Sequence, residues 1–172
     1  MTLWADIAKR FQADKAEPEE EESTRDTSAQ ENAADVAHIE QLIEAAKTGQ
    51  LREVQHLCEV VGVDPDQRGY MGWTAAHWAA REGHIAILEY LLQAGANLDT
   101  LDRRGDCLLH KAAANGQHDT CAWLLAHNFN ALTTNNNGMT PIDMALERAG
   151  QTKDAAAAHC AAALAHEGEC TF

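Results

Sequence analysis

The chain has 172 residues, enough for one domain with a tail. Its hydrophobic fraction of 45% supports a core, although aromatics at 5% leave small apolar side chains to do much of the filling. The net charge of −14 is spread as −5 over residues 1–34 and −9 over the remainder. This argues against nucleic-acid phosphates or an anionic membrane surface as partner and is easier to reconcile with a basic or neutral protein. The five cysteines form no CxxC pair, the amino-terminal region has no long apolar stretch, and no run reaches the ~18 apolar residues of a membrane span. Reduced thiols in the cytoplasm are therefore expected, with the nucleus as the alternative compartment.

In chain order, residues 1–11 come first. Leu3, Trp4, Ile7 and Phe11 share one face of a short helix. Such a helix is too short to be stable alone. Two readings stand: it docks on the protein's own repeats, or it is a linear motif that folds into a partner's groove. Residues 12–34 contain the run Glu19–Glu22, several Ser and Thr, and no large apolar residue, so a disordered acidic linker is expected. Asp35 is then read as the cap of a helix reaching about Thr48, with Ile39, Leu42, Ile43 and Ala46 on its apolar face and Gly49 as its stop. A second helix is expected over about Leu51–Val61.

From Gly72 the chain repeats itself. Gly72–Gly83 and Gly105–Gly116 are the same pattern 33 residues apart, and a third copy opens at Gly138. A fixed period of this length signals stacked supersecondary units, each too small to fold alone. The reading is an all-α solenoid over residues 35–166, with units of about 39–71, 72–104, 105–137 and 138–166 and a short tail over 167–172. Each unit runs as turn, short helix, tight connection at Gly83 or Gly116, longer helix and polar loop. The last is expected to carry an insertion near Gly150–Lys153 before a terminal helix over Asp154–His166.

These residues resemble the ankyrin repeat. Thr74-Ala-Ala-His77, Gly83-His84, Leu91-Leu92 and Gly95-Ala96-Asn97 match its opening, mid-unit turn, outer-helix end and loop. His110, Ala112-Ala113, Gly116 and Leu124-Leu125 repeat the match, and Thr140-Pro141-Ile142 opens the last unit. The resemblance covers about Ile39 to Leu164. It implies helix pairs with β-turn fingers, structural roles for His77 and His110, and left-handed turns at Gly83, Gly95 and Gly116, with Asn128 standing in for glycine in the third unit. Departures are also evident. The first unit lacks the opening tetrapeptide and carries about one extra residue near Val60–Gly62. Cys107 replaces the usual threonine, Phe129 replaces a small alanine, and Asp143 replaces the motif histidine.

The resemblance also implies a concave protein-binding face made by fingers and inner helices. Tyr70, Met71, Trp73, Trp78, Arg81, Arg103, Arg104, Lys111, Asn115 and Asn136 are its candidate residues, and Trp78 is expected to be exposed. Their mix of Tyr, Trp, Met and Arg suits an interface hot spot. Arg68, Arg81, Arg103 and Arg104 read as a basic stripe that grips an acidic peptide or the chain's own Glu19–Glu22.

Catalytic and metal chemistry find little support. Cys107-x2-His110-x7-His118-x2-Cys121 has zinc-like spacing. In register, however, Cys121 falls on the core position of Leu88 and His110 on that of His77. No positioned nucleophile–base pair is visible. The expected protein is a non-catalytic adaptor or scaffold subunit, monomeric alone, with no cofactor and no metal, binding another protein within a larger assembly. The alternative is an inhibitor or chaperone that caps one partner. More remote readings are a metal-dependent module and a substrate-recruiting part of an acyltransferase system. Asn97 and Asn130 occupy the loop position at which ankyrin asparagines are hydroxylated, although a turn-stabilising role is the simpler reading.

Overall fold

The 33-residue period emerges as paired helices joined by short turned fingers. The computed structural model describes residues 24–69, 71–152, 161–162 and 164. The expectations for Leu3, Trp4, Ile7, Phe11 and Tyr70 lie outside the described residues, as does most of the terminal helix and the tail. Contacts divide the chain into two units, Met1–Asp35 and Val36–Phe172, and the repeats belong to the second.

Helix α1 spans Thr24–Thr48, and α2 spans Leu51–His56. The paired helices of the next unit are α3 (Ala75–Glu82) and α4 (Ile85–Gln93), followed by α5 (Leu108–Asn115) and α6 (His118–Ala126). Helix α7 covers Pro141–Thr152. The described residues contain no strand. The inner helices α3, α5 and α7 stack in succession, and each outer helix packs on the inner helix before it.

Two boundaries differ from expectation. Helix α1 starts at Thr24, not after Asp35, so residues 24–34 are helical where a disordered linker was expected. The stretch holds no Gly or Pro, and Ala29, Gln30, Glu31, Ala33 and Ala34 are good helix formers even without an apolar face. At the other end α7 runs through Gly150 to Thr152, absorbing part of the expected insertion as an added helical turn.

The extra residue of the first unit has a defined place. Helix α2 continues as a π turn over Leu57–Val61 and ends at Gly62, whose N–H bonds Leu57 O. A single inserted residue is accommodated this way without breaking the helix.

The core is aliphatic. Leu42, Val54, Leu57, Ile87, Leu88, Leu91, Leu108, Leu109 and Leu124 are all buried, and Ala75, Ala79, Ala80, Ala112, Ala113 and Ala145 let successive helices approach closely. Truncating a fully buried leucine such as Leu88 to alanine would cost about 2–5 kcal/mol. Phe129 packs half-buried against this core.

The mid-unit turns explain their glycine. Gly83 has φ +88°, and a Cβ there would lie 2.6 Å from Gln117 Oε1 of the next unit. Gly95 and Asn128 both end their outer helices in the left-handed region, at φ +82° and +64°.

The helix entries show one design with three chemistries. Thr74 N–H and Oγ1 meet His77 Nδ1 at 3.3 and 3.0 Å. Cys107 N–H and Sγ meet His110 Nδ1 at the same two distances. In the last unit Asp143 takes the histidine's place, accepting from Thr140 N–H and Oγ1 at 2.8 Å while its own N–H bonds Thr140 Oγ1 at 3.2 Å. Each pair satisfies amide groups that a helix start leaves open.

Candidate protein-interaction surface

The three fingers are built on one hydrogen-bond pattern. Gly69 N–H donates to Trp73 O at 2.8 Å, Asp102 N–H to Asp106 O at 3.0 Å, and Asn135 N–H to Met139 O at 3.0 Å. In the second finger Asp102 Oδ1 accepts from Arg104 N–H and Asp106 N–H, at 2.7 and 2.9 Å. In the third, Asn135 Oδ1 accepts from Asn137 N–H and Met139 N–H, both at 3.0 Å. The first finger has Gly69 at this position and no such side chain.

Adjacent fingers are tied together. Trp73 Nε1–H donates to Asp102 Oδ2 at 2.9 Å. Asn135 Nδ2–H donates to Asp106 Oδ1 at 2.7 Å, and Asn136 N–H to Arg104 O at 2.9 Å. Trp73 is thus anchored between fingers, and Asn136, although exposed, serves as a finger link.

Lys111 corrects the sequence reading. Expected on the accessible side of an inner helix, it is buried, with Nζ 2.6 Å from Asp102 Oδ2 and 2.7 Å from Asp106 Oδ2. It also lies over Trp73, 4.4 Å from the ring centroid. Two carboxylates and an indole close over the ammonium, so it is not available to a partner. Burial works against the Asp102 carboxylate. Its bond to Lys111 and the N–H groups of Asp106 and Arg104 outweigh that and hold it below the usual range.

Other candidates are partly engaged as well. Asn115 Nδ2–H caps Arg81 O at 2.8 Å, as Arg148 Nη1–H caps Ala114 O one unit later at the same distance. Arg81 pairs with neighbouring Glu82 at 3.0 Å and is only half exposed. Arg68 Nη1–H donates to Leu101 O at 2.8 Å. The four-arginine stripe therefore reduces to Arg103 and Arg104, both exposed and without an ion pair among the described residues.

Trp78 is half-buried, not fully exposed. Its ring packs on Trp73 with centroids 4.6 Å apart and planes tilted by 56°. Arg81 lies 5.3 Å from its centroid and Lys47 5.8 Å. Trp73 walls two clefts, and Trp78 the first of them. One, of about 250 Å³, is lined by Glu40, Ile43, Glu44, Met71 and both tryptophans. The other, of about 320 Å³, is lined by Met71, Trp73, Asp102, Arg103, Arg104 and Lys111. Met71 stands at their junction and is 47% exposed. Glu40 and Glu44 are contributors that the sequence reading missed, although their i, i+4 spacing beside Ile43 was a readable signal.

The histidines are structural in different degrees. His110 Nε2–H donates to Met139 O at 3.0 Å, tying two units. His77 Nε2 points toward the Asp106 main chain without a hydrogen bond of normal geometry. Burial pushes its pKa down to about 4. Burial also opposes ionisation of Cys107 and His110, but their mutual contact outweighs it, holding the thiol below and the imidazole above its ordinary value. Because Cys107 N–H already points at Nδ1, the imidazole proton belongs on Nε2 and the thiol donates. Of the zinc-like set, Cys121 is fully buried in the core and His118 is exposed on α6.

Comparison with known proteins agrees with this architecture. The family described as Ankyrin repeats (many copies) matches residues 42–92, 76–124 and 109–159. Ankyrin repeat domain-containing protein 40 of Mus musculus is 44% identical over 68 residues, 39% of this chain and 18% of that protein. Diacylglycerol kinase zeta of Rattus norvegicus is 34% identical over 119 residues, 68% of this chain and 13% of the kinase. RelA-associated inhibitor of Mus musculus is 35% identical over 103 residues, 59% of this chain and 12% of that protein. The chain spans less than a fifth of each of these relatives, so the likeness extends to the repeats and not to the whole proteins.

Proposed function

The chain belongs to the ankyrin-repeat family, and from that premise we propose that it is a non-catalytic adaptor or scaffold subunit. It binds another protein on the side formed by the inner helices and fingers. Repeat stacks of this kind present extended surfaces to protein partners. The observation that carries the proposal is Met71, exposed beside the packed Trp73–Trp78 pair where two clefts meet. A polarizable side chain next to anchored aromatics, with Arg103 and Arg104 alongside, has the composition of a binding hot spot.

A second reading is a regulatory inhibitor that caps a single partner. The observation in its favour is the similarity to a protein named RelA-associated inhibitor. For either role the compartment we propose is the cytoplasm or the nucleus.

The test is capture of partners from source cells by the full chain and by a Met71→Asp/Arg103→Ala variant whose circular dichroism and melting are unchanged. Loss of a partner by the variant alone supports the reading. Retention of every partner by the variant overturns it.

A further inference from the structure

Resting on the reading just given, we infer that the occupant of the paired clefts is an extended segment of a partner protein with a bipolar sequence: a basic residue, a central aliphatic residue and an acidic residue. The argument is charge and shape. One cleft is rimmed by Glu40 and Glu44, both exposed on α1, with Ile43 between them. The other is rimmed by Arg103 and Arg104, exposed on the second finger. Met71 and Trp73 line both, so the acidic and basic ends share one apolar midpoint.

The buried charges do not change this polarity. Lys111 is taken up by Asp102 and Asp106, so the positive end is the two arginines. Glu44 pairs with Lys47 at 3.0 Å, but both are exposed, and a surface pair of this kind is worth little. Glu40 has no ion pair among the described residues. In a chain of net charge −14, two adjacent exposed arginines with no ion pair among the described residues form a local exception.

The midpoint selects an apolar group over a cation. Trp73 and Trp78 are packed on each other, and Lys47, Arg81 and Lys111 already lie within 6 Å of their rings. A partner ammonium over these faces would meet like charge. An aliphatic side chain against Met71 and Ile43 would instead remove apolar surface from water.

The test uses the full chain and fluorescein-labelled peptides read by anisotropy. The matched peptide is Gly-Lys-Lys-Gly-Leu-Gly-Asp-Asp-Gly. Its controls replace both lysines by aspartate, both aspartates by lysine, or the leucine by serine. The matched peptide is expected to bind about tenfold more tightly than each control. Against an Arg103→Glu/Arg104→Glu protein the all-basic peptide should overtake it, and against Glu40→Lys/Glu44→Lys the all-acidic peptide should do so. Such reciprocal switching cannot arise from misfolding. Best binding of a uniformly charged peptide to the unmodified chain overturns the inference while leaving the adaptor reading intact. So does binding that neither charge swap alters. Absence of binding by every peptide also overturns it, and the partner capture above then decides the adaptor reading separately. Binding that appears only in a full-length Trp4→Ser/Ile7→Ser variant identifies the chain's own amino-terminal segment as occupant, against the inference. Self-association in sedimentation that Met71→Asp abolishes identifies a second copy as occupant and likewise overturns it.

Discussion

Lys111 and Asp102 form an ion pair of 2.6 Å that is almost wholly shielded from solvent, and Asp106 completes it from the other side at 2.7 Å. The arrangement joins the second finger to inner helix α5 and, through Trp73 and Asn135, to the fingers on either side. A buried pair is costly to break because the surviving charge is left without compensation. Lys111→Met is therefore expected to lose about 3–5 kcal/mol at neutral pH, measured by urea unfolding. Adding Asp102→Asn and Asp106→Asn to the same protein should recover only part of the loss, because an amide at position 102 that keeps its oxygen on the finger N–H groups sets its own N–H against Trp73 Nε1–H. Asn135 already shows that an amide oxygen can hold a finger closed. A triple variant as unstable as the single one would show that packing around the lysine stem, not charge, dominates.

The pair also shows where the sequence ceases to be legible. The repeat, the helix pairs and the caps were readable because each depends on residues within one unit: Thr74 with His77, Thr140 with Asp143, and the left-handed backbone of Gly83 at its turn. Lys111 was not, because its register equivalents Trp78 and Met144 remain half-buried and only the closure of Asp102 and Asp106 over it determines its state. Asn115 and Arg148 were missed as caps for a related reason, since their acceptors lie 34 residues away in the preceding unit. The candidate site was half legible. Met71, Trp73, Arg103 and Arg104 line its clefts as a group, whereas Glu40 and Glu44 enter it only through the packing of α1 beside the first finger.

His77 makes stability depend on mild acid. Its pKa falls from 6.5 to about 4 on folding, so between these values the unfolded chain binds a proton that the folded chain does not. Stability should therefore be complete above pH 6.5 and decline as pH falls toward 4, by up to about 3 kcal/mol from this group. Asp102, with its carboxyl held low, contributes stability that is present above pH 3.8 and lost below it, so its effect lies in a separate, more acidic window. An NMR titration of the His77 ring checks the first claim directly. A midpoint near 6.5 would refute it.

The Cys107–His110 contact repeats the Thr74–His77 contact atom for atom, both at 3.0 Å. Threonine is a better helix cap than cysteine and has the same hydrogen-bond donor in the same place. Cys107→Thr is expected to be neutral or to stabilise by up to about 1 kcal/mol, whereas Cys107→Ala should cost about 1 kcal/mol through the lost bond to Nδ1. Thermal melts of the two variants check the sign. A loss for threonine as large as that for alanine would mean that the buried site has no room for the added methyl.

Gly105 and Gly138 occupy the same place in successive units, with φ +75° and +73°. Their surroundings differ. A Cβ on Gly105 would lie 2.7 Å from Asn136 Oδ1 and 3.1 Å from Asn136 N, the atom that bonds Arg104 O and joins the fingers. A Cβ on Gly138 would meet nothing within 4 Å. Gly138→Ala should therefore cost only the left-handed backbone penalty, about 1–2 kcal/mol. Gly105→Ala should cost that amount and roughly another 1 kcal/mol for the displaced finger bond. Urea unfolding of the two variants isolates the inter-finger contribution as their difference. Equal losses would mean that the Asn136–Arg104 bond yields without penalty, and that Trp73–Asp102 and Asn135–Asp106 suffice to hold the fingers in register.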